Sequence, residues 1–286
     1  MKLRSAEWLL TVYFAYVAVV SAILPVPLKF SALILALCVP ALFATLAHGR
    51  HVGFDMARDW LAAGFVIVAY RQMDWFSTLP RNFHLELTWL NWDRTILYHW
   101  GLQRGIESLG VLLPAYLELC YALVYAVPPF VVAAMYFGHR RKRVNAVVFL
   151  YLLGTLLAYA LFPFFPSDPP RVVFGGSDLP NVMTPLRQLN LFLVGNYGIH
   201  SSVFPSAHVS SAFSAAWALL AYLPERRRYG IGMLGYAISV AVATVYGRYH
   251  YAADAVAGLA VSLVPALMIL ARSPLRLLRA VLPALP

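Results

Sequence analysis

Eight apolar runs, each about as long as a bilayer is thick, decide what this chain can become. They fall at about 7–24, 30–47, 59–76, 111–137, 144–163, 206–223, 229–246 and 251–271. A helix needs roughly 20 mainly apolar residues to cross the hydrocarbon layer. Of the 286 residues 61% are hydrophobic and 12% charged, whereas a soluble domain is nearer half apolar and a quarter charged. The sequence therefore predicts an all-α integral membrane protein with about eight transmembrane helices. Asp59, Arg71 and Asp74 crowd the ends of the third run. Pro128-Pro129 interrupts the fourth and predicts a kink or an early stop there.

Basic residues orient such helices, because loops on the cytoplasmic side collect Lys and Arg. With the N-terminus in the cytoplasm, that side holds Lys2, Arg4, Arg50, Arg58, Arg140, Arg141, Lys142 and Arg143. It also holds Arg226, Arg227, Arg228, Arg272, Arg276 and Arg279, making fourteen of the 22 Lys and Arg. The net charge of +10 thus reads as a topology signal, not as a nucleic-acid surface. Both termini are then cytoplasmic, and segments 164–205 and 247–251 share the extracytoplasmic side. The short, loop-poor chain suits a bacterial inner membrane. The first run lacks a clear A-x-A site and reads as a retained helix, not a cleaved signal. Cys38 and Cys120 lie inside apolar runs and fit no metal spacing, so they read as packing residues. Residues 77–110 are too polar to span. Trp89, Trp92, Ile96 and Trp100 fall there at near-helical spacing, which predicts an interfacial helix over about 85–109. It reads as a wall of the lipid path or as a connector lying on the surface.

Two motifs carry chemistry: Phe204-Pro205-Ser206-Ala207-His208 and Arg248-Tyr249-His250-Tyr251-Ala252-Ala253-Asp254. Each stands at the head of an apolar run, on the same membrane side in this topology. His250 and Asp254, at i and i+4, share one helix face. A carboxylate there can fix the imidazole tautomer and leave the other nitrogen free to attack. Read alone, the pair is more readily a helix cap. Arg248 can grip phosphate oxygens. Ser206 is a natural N-cap, and the helix start it opens favours an anion. His208 in that first turn can give a proton to a leaving oxygen. The prolines of Phe165-Pro166-Ser167-Asp168-Pro169-Pro170-Arg171 stiffen a loop that can aim Arg171 at the same phosphate, or leave it solvated. Glu118, ionisable inside the fourth run, lines the site or pairs with another helix. His200 and Arg187, in the loop before the first motif, are further candidates for headgroup contact. No third ligand completes a metal site around His250 and Asp254.

Together these residues resemble the type 2 phosphatidic acid phosphatase superfamily, whose usual motifs are K-x6-R-P, P-S-G-H and S-R-x5-H-x3-D in that order. The order is kept by the Arg171 loop, Pro205-Ser206-Ala207-His208, and His250 with Asp254. The resemblance covers about 110–275. Ala207 replaces the family glycine, Thr244 stands where the usual arginine would be, and Phe164 where the usual lysine would be. These departures, together with F-P-S-x-H, R-Y-H-Y-x-x-D and two extra N-terminal helices, look most like the inositol phosphorylceramide synthase branch. The resemblance implies a phospho-headgroup transfer between lipids with no metal or cofactor. His250 would form a phosphohistidine, Asp254 would orient it, and His208 would serve as acid and base. Arg171, Arg248 and Ser206 would hold the phosphate. It further implies two N-terminal helices over 1–48, a six-helix catalytic membrane domain over 49–274 and a short cytoplasmic tail over 275–286. The partners would be membrane lipids: a phospholipid donor, and a lipid alcohol or water as acceptor.

Three alternatives stand beside this. One is a lipid phosphate phosphatase acting on phosphatidic acid or a polyprenyl phosphate. Another is a non-enzymatic lipid-binding protein with a degenerate site, favoured by the missing lysine. A transporter finds no inverted pair of broken helices to support it.

Overall fold

The computed structural model describes residues 2–49, 51–176 and 178–272. Arg50, Arg276, Arg279 and the tail 275–286 lie outside them. Among the described residues there is no strand. The helices are α1 (Ser5–Ile23), α2 (Lys29–His48), α3 (Val52–Met73), α4 (Phe83–Arg94), α5 (Leu102–Glu107), α6 (Leu112–Ala122) and α7 (Val127–Phe137). They continue with α8 (Val144–Leu161), α9 (Pro170–Val173), α10 (Pro185–Tyr197), α11 (Ala207–Tyr222), α12 (Arg227–Tyr246) and α13 (Ala252–Arg272).

Among the described residues, six segments are long and apolar enough to cross a membrane: Ser5–Ile23, Lys29–His48, Leu112–Phe137, Arg141–Phe164, Pro224–Tyr246 and Ala252–Arg272. The chain is an all-α integral membrane protein. The other two expected spans are helices that differ from these for stated reasons. α3 carries Asp55, Arg58, Asp59 and Arg71. Near its start those charges are paired. Arg58 donates to Glu7 of α1 at 2.6 and 2.7 Å. Asp59 accepts from Arg4 at 2.9 Å and from the Tyr136 hydroxyl at 2.8 Å. α11 has only 16 residues and is buried on nearly every side, because α8, α12 and α13 pack around it. It meets protein, not lipid.

That central position explains its small residues. Ser210 donates to the Gly154 carbonyl of α8 at 2.8 Å, and a Cβ on Gly154 would sit 1.9 Å from the Ser214 hydroxyl. The stripe Ala207, Ser210, Ser211, Ser214 is a close-packing face of the kind small residues permit.

The expected break in the fourth span lies just before its prolines. A 3-10 turn, Leu123–Ala126, separates α6 from α7, and Pro128 and Pro129 occupy the first turn of α7, where no N–H is needed. The segment 77–110 differs from both readings given above. Trp92 and Trp100 are exposed, but Trp89 is buried, stacked on Phe204 at 5.0 Å and against Tyr251 at 5.5 Å. α4 thus packs on the loops that carry both histidine motifs. Both cysteines are free.

Candidate active site

The loop that carries His250 is shaped by the end of α12. Gly247 caps the helix and Arg248 follows with φ +61°. The Arg248 N–H bonds the Val245 carbonyl at 3.1 Å and the Tyr249 N–H bonds that of Thr244 at 3.0 Å. This is a Schellman ending with arginine at the left-handed position glycine usually holds. The chain turns at once into α13. Asp254 reaches back to the Tyr251 N–H at 2.9 Å, one half of a capping box. His208 enters from the other motif. Ser206 caps α11 by accepting the Val209 N–H at 3.4 Å, and its own N–H bonds the Asp254 carbonyl at 2.9 Å. Arg171 arrives on α9, started by Pro170, with its N–H on the Arg248 carbonyl at 3.2 Å.

The two histidines meet, with His250 Nε2 3.4 Å from His208 Nδ1. His250 Nδ1 lies 2.9 Å from the Val203 carbonyl and 3.3 Å from the Asp254 carboxylate. Both are acceptors, so Nδ1 carries the proton and Nε2 presents its lone pair. His208 Nδ1 is then the donor to it, and His208 Nε2 has no partner among the described residues. Burial, with repulsion from His208, holds His250 well below the ordinary imidazole value of 6.5. A neutral Nε2 on the cleft side of the ring is what nucleophilic attack on phosphorus requires. A phosphoryl group has no room between nitrogens 3.4 Å apart, so it must displace the His208 contact as it arrives.

Both histidines and Arg171 line one cleft with about 90 Å³ of free space. The Arg171 guanidinium lies 5.4 Å over the Tyr249 ring and has no carboxylate partner among the described residues. Arg248 and Ser206 do not line this cleft. The left-handed turn sends the Arg248 side chain, 1% exposed, to Asp93 of α4 in a buried ion pair. Asp93 also accepts the Ala252 N–H at 2.8 Å. Arg248, expected as a phosphate contact, is thus not brought to this cleft but held against Asp93. The Ser206 oxygen serves the cap.

Glu118 and Arg187 pair with each other at 2.8 Å, both buried. Glu118 also accepts from Asn190 at 2.7 Å and from the Tyr249 hydroxyl at 2.7 Å. Tyr249 stacks on Tyr121 at 3.8 Å, and Tyr121 on His208 at 5.0 Å. The pair thus supports His208 through two rings and does not face the cleft. His200 is exposed and touches Asp74 at 3.3 Å, away from the histidines. Sequence reasoning missed Tyr121, Tyr249, Asp93 and the Val203 carbonyl. Of these, Asp93 alone left a signal, a carboxylate amid tryptophans. No residue of 77–110 lines the cleft, and its outer wall is α3 through Val66, Ile67 and Tyr70.

The sequence profile of the PAP2 superfamily matches residues 89–268. That is well over half the chain and takes in every residue of the cleft except the α3 wall. The chain belongs to the PAP2 superfamily, whose members are phosphatases and phosphotransferases. No curated protein and no solved structure matches it significantly.

Proposed function

We propose that this protein is a membrane lipid phosphotransferase that moves a phospho-headgroup between lipids through a phosphohistidine at His250. The observation that carries the reading is the meeting of His208, His250 and Arg171 in one cleft at one end of the bundle. His250 Nε2 attacks phosphorus and the bond to the leaving alkoxide breaks. His208 protonates that alkoxide. In the second half the acceptor oxygen bonds phosphorus, the P–N bond breaks, and His208 takes the acceptor proton. Arg171 holds the equatorial oxygens, where charge grows in the transition state. The Val203 carbonyl and Asp254 together hold the His250 tautomer. No metal takes part in this scheme.

The headgroup-transfer branch, similar to inositol phosphorylceramide synthases, is supported by the F-P-S-x-H and R-Y-H-Y-x-x-D motifs and by helices N-terminal to the matched region. An extracytoplasmic site is supported by the far end of the bundle. There Arg4 pairs with Asp55 and Asp59, and Arg140 with Glu225, beside Arg141, Lys142 and Arg143. Such basic clustering marks the cytoplasmic side.

The test is purified protein in detergent with EDTA. It is incubated with phosphatidic acid, and separately with phosphatidylinositol plus ceramide, and the products are read by mass spectrometry. Diacylglycerol with a new phospho-headgroup lipid is expected. Free phosphate from phosphatidic acid alone would reassign the protein as a phosphatase. His250→Ala should lose roughly 10³-fold or more of turnover while staying folded. Full activity in that variant overturns the mechanism.

A further inference from the structure

The cleft does not end at the histidines. It runs along α8 past Phe162, Tyr159 and Thr155 to Tyr151, roughly 16 Å of helix. Its chemistry changes along that length. Arg171 and the two imidazoles stand at one end. Deeper in, among the described residues, no charged side chain lines it. Phenol groups do so instead, from Tyr70, Tyr121, Tyr125, Tyr151 and Tyr159. The Tyr70 ring lies 6.4 Å from that of Tyr125, and the Tyr70 hydroxyl accepts the Ile199 N–H at 3.2 Å. The Tyr159 ring lies 6.1 Å from that of Tyr70. Neutral donors and acceptors set in apolar walls of Val66, Val124 and Pro128 cannot neutralise a phosphate. They can exchange hydrogen bonds with hydroxyl and amide groups.

The limb also has a side opening. Ile67 of α3 is 56% exposed and Tyr125, in the 3-10 turn facing it, is 44% exposed. In a bilayer that exposure meets hydrocarbon. α3 lies outside the matched residues 89–268.

We infer that the limb between α3 and α8 is an acceptor subsite for a long-chain lipid alcohol. The alcohol lies with its hydroxyl end toward His208 and its chain leaving between α3 and the turn Leu123–Ala126. The inference rests on the phosphotransfer reading and sharpens it. The bound hydroxyl oxygen forms its bond to phosphorus as the P–N bond to His250 breaks. The hydroxyl proton passes to His208, and Nε2 regains its lone pair. A limb filled by alcohol also leaves less room for water to compete.

Two measurements test this separately from the chemistry. The first follows the ratio of transferred to hydrolysed product in Tyr70→Phe, Tyr159→Phe and Ile67→Trp. The phenylalanine variants keep the rings and remove only hydroxyls, and the tryptophan crowds the side opening. A fall in the ratio of about tenfold is expected, as loss of one or two neutral hydrogen bonds implies. An unchanged ratio overturns the proposal. The second uses a long-chain amido-diol carrying a diazirine in its chain, photolysed with full-length His250→Ala protein. Labelling of 66–70 and 123–126, competed by unlabelled diol, is expected, and labelling elsewhere overturns the subsite. If the wild type turns over no lipid yet these peptides label, the subsite stands and the reaction assigned to it falls. If it transfers headgroups with neither effect, the reaction stands and the subsite falls.

Discussion

Arg248 shows how a residue can be singled out from sequence while its protein partner stays hidden. An arginine two positions before a histidine suggests a phosphate ligand. The left-handed turn instead aims it at Asp93, 155 positions away in sequence, a contact that no local spacing reveals. A non-glycine residue in that conformation costs about 1–2 kcal/mol, which the buried pair must offset. Asp93→Ala should therefore lower stability by roughly 3–5 kcal/mol, because it strands a buried guanidinium. Thermal unfolding in detergent measures this, and an unshifted midpoint would remove the pair from the account. Arg248→Gly in the Asp93→Ala background should recover much of the loss. His250 makes a second prediction at this scale. Its imidazole is held below 6.5 by burial, so the neutral nucleophile persists as pH falls through 6.5 and is lost only further down. On the proposed mechanism the acid limb of kcat/KM, which reports the free enzyme, lies below pH 6.5. A limb centred above that value would mean that another group controls attack.

At the scale of elements, most of the design follows from lengths and small residues. The apolar runs became helices nearly where the sequence placed them, because bilayer thickness fixes a span within a few residues. The place of α11 at the centre was legible only in part. Its serines and alanines signalled close packing, but not that lipid is absent from nearly every face. α4 was less legible still, since a tryptophan at a membrane interface and one stacked under a loop look alike in sequence. Trp89 proved to be the second kind, while Trp100 is exposed. One contact between elements bears directly on the site. A Cβ on Gly258 of α13 would lie 2.4 Å from the Ser206 carbonyl, which immediately precedes the helix bearing His208. Gly258→Ala should displace that N-terminus and lower turnover at least about tenfold, with helix content by circular dichroism unchanged, since 1 Å of misplacement can cost 10²-fold. Wild-type turnover would show that His208 tolerates the shift.

Across the whole molecule, the N-terminal helices share the core of the bundle. Leu10, Phe14 and Val17 of α1 belong to one buried cluster with Val147, Leu152 and Leu156 of α8. Glu7, fully buried, holds Arg58 of α3. A boundary at 48 divides the sequence but not this core. Removing residues 1–48 should therefore cost folded protein, read as loss of the monodisperse peak in size-exclusion chromatography. A well-behaved truncated protein would show that α3 to α13 suffice. The side opening beside Ile67 bears on how such a molecule would sense its surroundings. A site reached through its flank, within the membrane plane, samples neighbours by two-dimensional diffusion. Its occupancy then follows the mole fraction of substrate among the surrounding lipids. Diluting the vesicles in buffer leaves the rate per enzyme unchanged, and diluting the substrate with inert lipid slows it.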